Sequence, residues 1–220
     1  MIGNVKSTVL GVALAVATLF AATSASAALT VTIGGTPLAG EGLVSSVVGA
    51  VTTDFNASLV NPANYTGGGV VNGSVPGSWA SPPNDTSNYF TVGPSTSNPG
   101  VVTLSGLASY FGYYGGSPDT YNSVSFFNGD SLIGSFDGVT LAGLASVAAN
   151  GDQSVGSFWN FTANNAGDYF NTVVFASVSN AFETDNHAVL AVPEPETYAM
   201  MLAGLGLIGF SARRRKNNVA

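Results

Sequence analysis

A single histidine, His187, occurs in the 220-residue chain, two places after Asp185. Any Ser-His-Asp relay has to run through it. Serines are plentiful, but no Gly-x-Ser-x-Gly elbow exposes one as a nucleophile. Next to Asp185-Asn186, and in a segment that reads as a final strand, His187 is expected at the rim of the fold rather than at a reaction centre. Zinc normally takes several His or Cys ligands, and a chain with one His and no Cys does not supply them.

Carboxylates are the other reactive groups. Glu183 and Asp185 are two apart, so on one strand they share a face. Paired carboxyls are the equipment of glycoside hydrolysis, but nothing in the sequence marks one as acid and the other as base. Calcium suits them better, because it takes carboxylate and carbonyl oxygens. Asp119, Asp130, Glu183 and Asp185 are candidate ligands for a structural Ca²⁺, with Asp137 and Asp152 also near turns. The plain alternative is that these acids are solvated turn residues. No EF-hand loop or calcium-binding nonapeptide repeat is present, and no other cofactor is expected. Tyr110, Tyr113 and Tyr114, with Trp159, could form a platform for stacking on sugar rings. Strand alternation instead sends half of each aromatic set into a core.

The charge pattern excludes whole classes of partner. Residues Ala28–Val192 hold ten acidic side chains and no lysine or arginine. Such a body repels phosphate backbones and anionic headgroups, so nucleic acid is not a partner. With no cysteine there are no disulfides, and stability has to come from burial. The 45% hydrophobic content is enough for a core, so low charge here does not mean disorder.

The elements that position these groups read as strands. Leu29–Ile33 alternates with strand period, and Leu43–Val51 suits strand or helix. Residues 61–100 hold six of the ten prolines and read as long loops, with a short strand near Asn88–Val92. From Val101 on, short β-branched and aromatic runs recur: Val101–Leu104, Leu107–Tyr114, Tyr121–Phe127, Ser131–Phe136, Val155–Phe161, Tyr169–Val178 and Ala181–Leu190. Asn128-Gly129 predicts a type I′ hairpin turn, and Val139–Ala149 has helical spacing. The expected class is all-β, a jelly-roll-like β-sandwich spanning 28–192.

Both ends carry addresses. Residues 1–27 combine a basic start, an apolar stretch and Ala25-Ser26-Ala27, which predicts a secretory leader cut between Ala27 and Ala28 after passage through the Sec translocon. At the other end, Pro193-Glu194-Pro195 precedes an apolar run, Tyr198–Phe210, and then Arg213, Arg214, Arg215 and Lys216. As a helix that run spans about 20 Å, against roughly 30 Å of hydrocarbon. It is a marginal transmembrane helix, and the basic cluster keeps its end cytoplasmic, so the body lies outside.

This three-part ending, over residues 193–216, resembles the PEP-CTERM sorting signal of bacterial surface proteins, also catalogued as the C-terminal domain of ice-binding proteins. The resemblance implies recognition of Pro193-Glu194-Pro195 by an exosortase, a membrane-embedded peptidase, and removal of the helix and basic tail. It further implies a Gram-negative cell envelope, transient anchoring in the inner membrane, and a non-enzymatic structural or adhesive role in exopolysaccharide or biofilm. Tyr110–Phe136 and Asn171–Leu190 look like segments of one uncharacterised group of such proteins. Phe182–Asn186 also looks like the last strand of carbohydrate-binding jelly rolls. The alternatives are a carbohydrate-binding module, with Tyr110–Tyr114 and Asp119 near its site, and, behind that, a secreted glycoside hydrolase.

Overall fold

The structure, a computed structural model, describes residues 28–56 and 64–193, and helical residues at 201, 203–205 and 207–208. The leader with Ala27, the motif residues Glu194 and Pro195, and the Arg213–Lys216 cluster lie outside the described residues. The chain runs β1 (Leu29–Ile33), β2 (Thr36–Leu38), β3 (Gly42–Val44), β4 (Val51–Thr53), β5 (Tyr65–Thr66), β6 (Gly69–Asn72), β7 (Asn88–Val92), β8 (Gly100–Gly116), β9 (Asn122–Asn128), β10 (Ser131–Asp137), α1 (Gly138–Leu144), β11 (Gly156–Ala163), β12 (Phe170–Ser177) and β13 (Phe182–Ala191). Its class is all-β and antiparallel, as expected.

β8 organises the sheet. One edge pairs with β12 from Gly100 to Ala108 and then with β11 from Tyr110 to Gly116. The other edge takes β5 and then β13. Eleven strands are thereby joined in one hydrogen-bonded sheet, with β2–β3 as a separate hairpin. β8 joins both halves of this network, and the pairing by itself lends no support to the expected jelly-roll-like sandwich. The sequence reading placed two strands here, broken at Ser105-Gly106. In the structure the break falls in the ladder instead: pairing with β12 jumps from Thr103 to Ala108 while the strand runs on.

Local chemistry explains the smaller elements. Asp137 caps α1 by accepting from the Thr140 amide at 2.7 Å, and the helix ends at Leu144, short of the expected Ala149. The β9–β10 hairpin pairs Asn128 with Ser131, so its central residues are Gly129 and Asp130. Only Gly129 takes a positive φ, 55°, so this is not the type I′ turn expected at Asn128-Gly129.

Two apolar clusters cover the two faces of β8 and β11. Phe111, Tyr113, Trp159 and Phe161 belong to the large core, with Phe126, Phe170 and Phe175. Tyr110, Tyr114 and Phe158 face the other way, into a smaller cluster closed by Leu43, Val47 and Ala50. Residues 34–50 fold back over the sheet and bury what would otherwise be its open face.

Candidate functional site

Backbone hydrogen bonds tie down both ends of the described body. The Ala28 carbonyl accepts from the Asn164 amide at 3.1 Å, one residue before β1. At the far end the Val192 amide donates to the Leu107 carbonyl at 2.7 Å, and Pro193 beyond it is exposed. Proline has no N–H, so Pro193 cannot donate to a ladder. Of the apolar run that follows, the described residues are helical, and Met201, Leu205, Leu207 and Ile208 are exposed. Among the described residues no helix is long and apolar enough to cross a membrane, and the transmembrane expectation gains no support.

β13 carries the titratable groups. Glu183 lies behind the loop 74–80 and accepts from the Ala80 amide at 2.8 Å. Burial, helped by nearby Asp119 and opposed by that amide, pushes its carboxyl up to about 7. Asp185 lies beside Asp85. Ser87 Oγ donates to Asp85 at 2.6 Å and reaches Asp185 Oδ2 at 3.4 Å, and the Asp185 carboxyl is also in hydrogen-bond reach of the Asp85 carboxyl. Burial and then Asp85 push Asp185 up to about 9, so at neutral pH it is a carboxylic acid.

His187 departs from the sequence reading. It is fully buried, and no rim residue. Asn186 takes a φ of 51°, and the β13–β8 pairing slips between Asp185 and Ala188. This bulge reverses the strand's alternation and sends His187 into the main core. There it stacks on Phe175 at 5.1 Å, with Tyr65 Oη 2.9 Å from Nδ1 and Thr184 Oγ1 2.9 Å from Nε2. Burial drives its pKa down to about 3, so it is neutral and sealed from any substrate.

The aromatic platform is also corrected. Tyr110, Tyr113, Tyr114 and Trp159 are each at most 2% exposed. Tyr113 stacks on Trp159 at 5.3 Å, Trp159 Nε1 donates to the Leu141 carbonyl, Tyr110 donates to Asn160, and Tyr114 to the Pro83 carbonyl. With both faces of the sheet covered, none of these rings is available to a sugar. Of the calcium candidates only Asp119 and Glu183 come together, beside one cleft. Asp130 sits on the hairpin tip, Asp119 bridges to Asn150, and Glu183 and Asp185 keep separate neighbours. Among the described residues no three acidic or histidine side chains are grouped to hold a metal.

Three residues next to the acids escaped the sequence reading: Trp79, Asp85 and Gln153. Trp79 and Asp85 lie in the proline-rich stretch, where only long-range packing reveals what a loop covers. No curated protein and no solved structure matches the chain. Residues 191–216, from the last residue of β13 onward, match the PEP-CTERM protein-sorting motif, an export and envelope-sorting address whose implied partner is an exosortase.

Proposed function

We propose that this is an exported surface or matrix protein of a Gram-negative bacterium, freed of its leader at Ala27-Ala28 and cut by an exosortase at Pro193-Glu194-Pro195. The β body then serves a structural or adhesive role in exopolysaccharide or biofilm, without catalysis. The observation that carries this reading is the coincidence of fold and address. The outermost backbone bonds described above lie at Ala28 and Val192, and the sorting motif spans 191–216. Cleavage on either side would leave every strand and both apolar clusters of the body intact. The tail would hold the chain in the inner membrane only briefly, its short apolar run set in place by Arg213–Lys216.

The experiment is replacement of Pro193, Glu194 and Pro195 together by alanine. The wild type is expected in the envelope or medium as a shortened form, and the variant in the inner membrane with its tail attached. A variant processed and released like the wild type contradicts the sorting role.

A further inference from the structure

The sorting motif is joined to the body without a spacer. Ala191 pairs with Ala108 of β8, and the Val192 amide donates to the Leu107 carbonyl at 2.7 Å. Pro193, the first residue of Pro-Glu-Pro, comes next in the chain. On the other side, five residues (193–197) separate Val192 from the apolar run that begins at Tyr198. Fully extended, such a stretch reaches about 17 Å. A membrane-embedded peptidase has to work within that length. It also needs the backbone free on both sides of the bond it cuts, because an extended peptide is gripped through the same main-chain groups that a sheet ladder uses. Upstream of the motif, β8 already holds such groups.

The last residues of β13 are held more lightly than the rest. β7 pairs with β13 from Phe182 to Thr184, and β4 from His187 to Val189. Beyond Val189, among the described residues, β13 pairs with β8 alone, and that register slips between Leu190 and Ala191. Two open clefts flank this end. One, of about 370 Å³, is lined among others by Val51, Leu104, Leu190 and Ala191; the other, of about 390 Å³, by Leu107, Val192 and Pro193. Phe182 to Ala188 are buried, whereas Leu190 and Val192 are half-buried and Ala191 is exposed. Local opening is easiest where few buried contacts hold the backbone. Peeling Leu190–Val192 from β8 adds about 10 Å to the reach of the motif. It leaves Phe182–Val189 with their partners.

We propose that the end of β13, Leu190–Val192, is a peeling segment: it leaves β8 when the peptidase takes the motif and pairs again once the tail is gone. The proposal rests on the exosortase reading above and adds to it the step that admits the peptidase. When opening and closing are fast relative to the cut, the rate of sorting follows the population of the open form.

The test uses the full chain in cells that carry an exosortase, with loss of the tail followed by pulse–chase. One variant inserts a flexible Gly-Ser linker between Val192 and Pro193. A second carries Ala108→Cys with Ala191→Cys, two positions that are register partners across β8 and β13 in a chain with no cysteine of its own. A third combines both changes. The linker chain is expected to lose its tail several-fold faster than the wild type. With its disulfide closed, the cysteine variant is expected to lose the tail about tenfold more slowly, and to recover when a reductant opens the bond. The third variant is expected to be cut readily with the bond still closed, which separates blocked peeling from a misfolded body. A disulfide-closed chain, its bond confirmed by mass, that is cut like the wild type overturns the proposal. So does a closed chain that the linker fails to rescue, or a linker chain no faster than the wild type. If the cysteine variant does not fold or does not bond, the linker chain decides alone. A wild type that never loses its tail contradicts the sorting reading instead, so the two failures are told apart.

Discussion

Asp185 spends the neutral range protonated, and this makes the stability of the body depend on pH in a direction unusual for a carboxyl. Its pKa rises from 3.8 in an open chain to about 9 in the fold, so the folded state binds the extra proton. Its contribution is complete below about pH 4 and is lost as pH climbs towards 9. Glu183 acts in the same sense between 4.5 and about 7. His187 acts in the opposite sense: it must stay neutral, and it costs stability as pH falls from 6.5 towards 3. Between pH 7 and 9 the Asp185 window is still open. Asp185→Asn is therefore expected to melt several degrees above the wild type at pH 8.5, with the gap closing towards pH 4, as read by thermal denaturation across that range. A constant gap would place the shift elsewhere. Tyr113 gives a second prediction. Its hydroxyl is buried without a partner, so Tyr113→Phe should stabilise the body by about 1 kcal/mol in urea unfolding. A loss of stability would mean that the hydroxyl has a partner after all.

At the scale of elements, two glycines separate backbone strain from crowding. Gly129 has a φ of 55° and open space around it, so Gly129→Ala should cost about 1 kcal/mol, the penalty for a left-handed residue with a Cβ. Gly138 opens α1 where an added Cβ would run into the Asp119 carbonyl oxygen. Gly138→Ala should cost about 3 kcal/mol, the upper part of the range for overpacking, and chemical denaturation ranks the two. The strands themselves were legible, because β-branched and aromatic runs between turn residues say strand wherever they pack. β1 is bounded as its alternation predicts, and Asn88–Val92 stands out even inside the proline-rich stretch. The facing of side chains was not legible. Tyr110 and Tyr114 alternate with Phe111 and Tyr113 as strand residues should, yet all four are buried because residues 34–50 return over the second face. His187 was misplaced by a bulge at Asn186 that shifts its phase, and a period of two cannot reveal that.

For the whole molecule, charge and address were the most legible features. A body without lysine or arginine is visible by inspection, and so is an ending of Pro-Glu-Pro, apolar run and basic cluster. The sorting motif could be recognised because it is read locally by another protein. The contact of Ala80 with Glu183 could not, because it joins residues 103 apart in the chain. One consequence is simple to check: the processed protein, even unfolded in urea, should give no fragments with trypsin, since 28–192 offers no site. The most direct test is intact-mass spectrometry of the protein recovered from the envelope or medium. The account predicts a chain that starts at Ala28 and ends at or near Pro193–Pro195, without the Arg213–Lys216 cluster. A recovered chain that still carries that cluster would contradict it.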